Sequence, residues 1–182
     1  MSVDPFRILE KHLGRGSLVH EVTLAHSRCV AEKAREMADR VRSLRPDLSF
    51  IEEACLLHDI GCVKTWAPDI GCQGRAPYIQ HGVLGAEILL AEGLPAHARV
   101  CERHTGAGLT SEEIAAANLS LPARDLLPET LEEKIICYAD KFFSKNPESL
   151  AREKSFDDVV ALMARYGKGQ VDRFYALAAL FE

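Results

Sequence analysis

No apolar run in this chain of 182 residues approaches the ~20 residues that a membrane-spanning helix needs, so none is expected. Basic clusters are also missing: 22 Lys and Arg are interleaved with 27 Asp and Glu, and the net charge of −5 leaves no electrostatic footprint for nucleic acid. The opening residues Met1-Ser2-Val3-Asp4-Pro5 lack the basic-then-apolar pattern of a secretion signal, and the cytoplasm is the expected compartment. None of the six cysteines (29, 55, 62, 72, 101 and 137) forms a C-x-x-C pair. Most sit among apolar neighbours, so buried free thiols are expected. Cys62 and Cys72 flank a loop and leave a disulfide or a metal site open as the alternative. No Ser-His-Asp or Cys-His nucleophile constellation is found. Repeats, low-complexity stretches and interdomain linkers are absent as well, and a hydrophobic content of 47% suits one domain with one sizeable core.

What the chain does have is a His-Asp doublet in an apolar setting, Leu56-Leu57-His58-Asp59-Ile60-Gly61. The doublet sets an imidazole nitrogen beside an anionic oxygen, and such groups are costly among apolar neighbours unless they are paired or bind metal. Four further residues share these surroundings: His26, His81, His104 and Asp140. On a helix, residues three or four apart share a face. His26 lies with Val22, Cys29 and Val30; His104 follows Val100 and Cys101; Asp140 follows Ile136 and Cys137. His81, between Tyr78 and Leu84-Gly85, lies near a helix start. A lone histidine on an apolar stripe is most often a hydrogen-bonded core residue. Four histidines and two aspartates so placed point instead to a shared metal site, with a donor mix suited to iron, manganese or zinc.

The ordered set His26, His58-Asp59, His81, His104, Asp140 resembles the HD superfamily of metal-dependent phosphohydrolases, in the branch with two extra histidines between the doublet and the final aspartate. His81-Gly82-Val83-Leu84-Gly85-Ala86-Glu87 and Tyr138-Ala139-Asp140-Lys141 look like the family's later blocks, and the resemblance spans roughly residues 17–145. It implies one ion held by His26, His58, Asp59 and Asp140, and a second held by His81 and His104, with Asp59 bridging as the central catalytic carboxylate. The alternative is a single ion, with His81 and His104 contacting substrate phosphate. One or two divalent ions are therefore expected: iron, manganese or zinc, with magnesium and nickel as further options. The implied reaction is hydrolysis of a small phosphorylated metabolite or nucleotide by a metal-activated water. A diiron oxygenase similar to myo-inositol oxygenase, and a non-catalytic HD module that senses or scaffolds, stay open as other classes. The substrate and the oligomeric state are not legible.

Along the chain the signals are helical. Residues 6–13 read as a short helix, and Ser17 as the cap of a long one reaching about Leu44, stopped by Arg45-Pro46. Ser49 with Glu52 reads as a capping box opening the His58-Asp59 helix, and Gly61 as its stop. Residues 61–77 form a loop beyond the doublet, where substrate contacts tend to gather. Lys64 in that loop is the candidate to meet a substrate phosphate as a point charge, a solvated lysine being the alternative. Trp66, the single tryptophan, is expected to be partly buried rather than to stack a base. Helices follow over about 78–92 and 95–104. Thr110 with Glu113 makes a further capping box, 119–128 is irregular, and Thr130 opens the helix bearing Asp140. Two amphipathic pieces, 156–166 and 171–181, close the chain. The expected fold is all-α, a single helical HD-type domain with a core over about 17–145 and a C-terminal helical extension over 146–182.

Overall fold

The computed structural model describes residues 3–181, among which nine α-helices and one two-residue hairpin are formed. Helix α1 (Pro5–Leu9) begins on a proline, whose missing N–H is no loss in a first turn, and runs into a π-helical turn, Glu10–Gly14. Helix α2 (Leu18–Arg40) is capped by the Ser17 hydroxyl, which accepts from the His20 N–H. It tightens into a 3-10 turn at Arg42–Leu44 instead of running on, and Arg45 (φ 56) turns the chain ahead of Pro46.

Helix α3 (Leu48–Leu57) is capped by Asp47, whose carboxylate accepts from Phe50 N at 3.0 Å, and not by the expected Ser49 and Glu52. Pro46 ends the incoming segment, which frees the very next residue to cap, and a carboxylate there also suits the positive end of the helix dipole. Gly61 is not the helix stop either. Helix α3 ends at Leu57, and Gly61 lies inside a 3-10 turn, Ile60–Lys64, with no left-handed φ. The chain requires glycine there for space. A Cβ on Gly61 would lie 2.1 Å from the His81 carbonyl oxygen and 2.2 Å from Gly85 N.

The loop that follows holds β1 (Trp66–Ala67) paired antiparallel with β2 (Cys72–Gln73). Side chains alternate across this hairpin. Ala67 and Cys72 face inward, so Trp66, opposite Gln73, is 61% exposed rather than partly buried. The six cysteines are free, five of them buried. Helices α4 (His81–Ala91) and α5 (Pro95–Arg103) pack closely because α4 offers glycines at the crossing; a Cβ on Gly85 would meet the Cys101 sulfur at 2.3 Å. Helix α6 (Ser111–Ala116) carries the Thr110–Glu113 capping box. Helix α7 (Leu131–Asp140) is capped by Thr130, and α8 (Phe156–Ala164) and α9 (Lys168–Ala178) close the chain.

The apolar interior has two main parts. Val30, Ala34 and Met37 of α2 pack with Ile51 of α3, Ile135 and Ile136 of α7, and Val159 and Phe174 from the last two helices. Val19 and Val22 of α2 pack with Leu9, Leu57, Ile60, Leu89 of α4 and Ala98 of α5. Helix α2 feeds both parts and changes allegiance between Val22 and Val30, where His26 sits. Helix α3 does the same around His58. The fold is thus all-α, with His26 and His58 placed at the seam between two apolar cores. No helix among the described residues is long and apolar enough to cross a membrane.

Candidate metal centre

Five chain segments deliver side chains to this seam. His26 projects from the middle of α2. His58 is the C-cap of α3, His104 the C-cap of α5, and Asp140 the last residue of α7, while His81 opens α4. Three helix C-termini therefore converge, and their partial negative charges favour a cation at the meeting point. The capping histidines are held by the same geometry. His58 Nδ1 donates to the Cys55 carbonyl (2.6 Å) and His104 Nδ1 to the Cys101 carbonyl (2.7 Å), while His81 Nδ1 donates to the Tyr78 carbonyl (2.8 Å). Each bond satisfies a carbonyl three residues back and leaves Nε2 free to act as a ligand atom.

The Nε2 atoms face two buried carboxylates. Asp59 Oδ2 lies 2.9 Å from His58 Nε2 and 3.2 Å from His26 Nε2, while Asp140 Oδ1 lies 2.9 Å from His26 Nε2 and 3.3 Å from His58 Nε2. The other oxygen, Asp59 Oδ1, faces His81 Nε2 and His104 Nε2, each at 3.4 Å, and those two nitrogens are 2.9 Å apart. Two groups result, His26-His58-Asp59-Asp140 and Asp59-His81-His104, with all ligand atoms of a group within 4.8 Å of one another. Asp59 belongs to both, one oxygen to each.

The donors fit a divalent ion. Both Asp59 oxygens are fully buried and close to nitrogens, yet none of these contacts has hydrogen-bond geometry. Donors converge in this way when they aim at a common point rather than at one another. Ions bound at ~2.1 Å hold neighbouring donors about 3.0 Å apart in an octahedron and about 3.4 Å apart in a tetrahedron, the range found here. Imidazole and carboxylate together suit iron, manganese or zinc.

Electrostatics agree with a cation site. Burial opposes ionisation of Asp59, but the His58 and Lys145 charges outweigh it and hold the carboxyl well below the usual range. Burial likewise opposes ionisation of Asp140, which Lys141 and hydrogen bonds from His26 and His58 keep well below that range. His58 is pushed up to about 9: burial works against its proton, and the Asp59 charge and the Asp140 hydrogen bond prevail. Burial, aided by the nearby His104, drops His81 to about 3. In the metal-free protein a proton on His58 therefore stands in for a cation. A metal needs the neutral imidazole, so binding near pH 7 is expected to release about one proton, and apparent affinity to rise about tenfold per pH unit up to about 9. Calorimetric titration of manganese in buffers of different ionisation enthalpy reads this directly. Metal uptake with no proton release would contradict it.

All six residues singled out in the sequence meet here. Lys64 does not: it is exposed at the end of the 3-10 turn and lines no part of the cavity beside the cluster. The ammonium groups at the carboxylates belong to Lys145, 2.6 Å from Asp59 Oδ2, and Lys141, 2.7 Å from Asp140 Oδ2 and from the His104 carbonyl. Lys145 follows the end of α7 and folds back over Asp59 through an irregular segment, so no periodicity marks it. Tyr78 stacks on His81 with ring centroids 4.8 Å apart and has Lys145 5.8 Å from its ring. Two further histidines are occupied elsewhere: the buried His97 meets Glu53, and the partly exposed His12 meets Glu92.

Comparison with known proteins matches residues 23–144 to the HD domain family. A stretch of 127 residues is 40% identical to an uncharacterized protein of Methanocaldococcus jannaschii, covering 68% of each chain. Another of 125 residues is 39% identical to the tRNA (cytidine(56)-2'-O)-methyltransferase of Picrophilus torridus, covering 68% of this chain and 32% of that protein. This chain thus spans about a third of the length of that enzyme. The crystal structure of the HD domain of the L. monocytogenes phosphodiesterase PgpH shares the fold, with a TM-score of 0.56 at 18% identity over 97% of this chain and 94% of that one.

Proposed function

The chain belongs to the HD superfamily of metal-dependent phosphohydrolases, and on that premise we propose that it hydrolyses a small phosphorylated metabolite or nucleotide at the His/Asp cluster. One observation carries the reading: Asp59 turns a separate oxygen to each of two ligand groups. In the proposed assignment His26, His58, Asp59 and Asp140 hold one ion, and His81 and His104 hold a second together with Asp59. Bound ions supply water activation and Lewis-acid polarisation of a phosphoryl oxygen, with no need for a side-chain nucleophile.

The protein's own groups do the rest. The carbonyl-anchored Nδ1 atoms fix three imidazoles in one tautomer and orientation, so no ring has to reorganise. Lys141 and Lys145 bring two positive charges to the rim of the cluster, where they can meet phosphate oxygens as point charges. Burial of the cluster keeps bulk water from diluting these charges. His81, Asp140 and Lys141 also line an adjoining cavity, which gives a ligand there direct reach to the cluster.

Manganese-loaded protein is expected to release phosphate, or a phosphomonoester, from phosphorylated substrates under strict exclusion of oxygen. Oxygen consumption coupled to substrate loss, with no phosphate product, would replace this reading with an oxygenase. The double variant His81→Ala/His104→Ala is expected to lower bound metal from two ions to one per chain. Unchanged stoichiometry at saturating manganese would sink the binuclear assignment.

A further inference from the structure

The cavity beside the cluster has a volume of about 750 Å³, ample for a ligand larger than a phosphate group. His81, Asp140 and Lys141 form its charged end. Away from that end the walls are Leu109, Leu119, Phe143, Leu162, Met163 and Tyr166. Polar side chains do occur in these walls, but Glu113 and Gln170 are already engaged inside the protein. Both Glu113 oxygens are 2.6 Å from Arg173 Nη2, and one also accepts from Thr110 N at 2.9 Å. Gln170 accepts from Ala107 N and donates to the Gly108 carbonyl, both at 2.7 Å. The other side-chain hydroxyls in the walls are those of Thr105, of Tyr78 near Lys145, and of Tyr166, whose side chain stands 68% exposed at the rim.

A sugar phosphate would have to set several hydroxyls against walls that are mainly apolar, which is costly. An aromatic or aliphatic body would lose nothing and gain dispersion and burial. We infer that the substrate is a phosphoester whose organic part is an apolar body, aromatic or aliphatic, rather than a polyhydroxylated sugar. The inference rests on the phosphohydrolase reading and narrows it. The wall that carries it lies partly outside the family match, which ends at residue 144, while Leu162, Met163 and Tyr166 come from α8 and the turn after it. The metal cluster lies entirely within the match. Selectivity is thus assigned in part to a stretch of the chain that carries none of the cluster.

The test is calorimetric binding of phenylphosphonate, methylphosphonate and glucose 6-phosphate to the manganese-loaded full chain, beside a phosphate-release assay. Phenylphosphonate is expected to bind about tenfold tighter than either of the others. Tyr166→Ala, at an exposed position, is expected to reduce that preference several-fold while leaving methylphosphonate binding and metal content unchanged. Ala117→Asp, at the exposed end of α6 on the cavity wall, is expected to do the same by placing a charge there. Equal affinity for the two phosphonates, or tighter binding of glucose 6-phosphate, overturns the apolar-body inference and leaves phosphohydrolysis standing. No binding of any of the three, together with no phosphate release, overturns both.

Discussion

Asp59→Asn is expected to strip both ions from the protein and to lower phosphate release by about a thousandfold or more, equivalent to about 4 kcal/mol of barrier. The carboxylate presents one anionic oxygen to His26 and His58 and the other to His81 and His104. An amide of the same shape offers a single neutral oxygen, and its NH2 group would turn two donor hydrogens toward one set of ligands. Whichever way it flips, one group loses its acceptor, and neither keeps a charge. Loss should therefore exceed that of the His81→Ala/His104→Ala variant, which spares the other group. Metal analysis after dialysis against trace manganese, with circular dichroism to establish that the variant is folded, measures the effect. Parental metal content in folded Asp59→Asn protein would refute the bridging role.

Gly61→Ala is expected to destabilise the fold by about 3 kcal/mol or more, which at this chain length lowers Tm by roughly 6–12 °C. The added methyl would meet the His81 carbonyl at 2.1 Å and Gly85 N at 2.2 Å, and backbone atoms cannot rotate out of the way as a side chain can. The first turn of α4 must move, and His81 moves with it, so affinity at the His81-His104 group should fall as well. Gly93→Ala provides the contrast. Its backbone is left-handed (φ 75) but nothing lies within 4 Å of the new Cβ, so only a conformational cost of about 1 kcal/mol is expected. Equal melting temperatures for the two variants would show that the contact at Gly61 is loose.

The cluster was legible because all of its members but His81 break an otherwise apolar helical stripe, and helical periodicity then shows which residues share a face. The same periodicity located most helices, and Thr110 with Glu113 and Thr130 mark their own helix starts. Gly61 reads as a stop because glycine is usually needed for its backbone freedom, whereas here it is needed for the absence of a side chain, a demand set by α4, twenty residues away in the chain. The positions of Lys145 and Lys64 differ from their nearness in sequence for a similar reason. Nearness in sequence put Lys64 beside the doublet, but the 3-10 turn points it to solvent, and the irregular segment after α7 brings in Lys145. Nor could the cavity be read, since its walls combine α6, α7 and α8 and exist only once these pack.

His26 and Asp140 touch across 114 residues of chain, and His58 and Asp59 are the only neighbours in sequence among the six. A disordered chain consequently presents just one doublet to an ion, and the loops needed to gather the rest carry a larger closure entropy than short loops would. A metal held by these residues is therefore expected to template the fold less than in a small zinc-nucleated domain, where the ligands sit on short loops. Collapse of the two cores is expected to come first, and loading second. Because the ion then distinguishes so sharply between folded and unfolded chains, nearly all of its affinity is returned as native-state stability, about 2.7 kcal/mol at a free concentration one hundred times Kd.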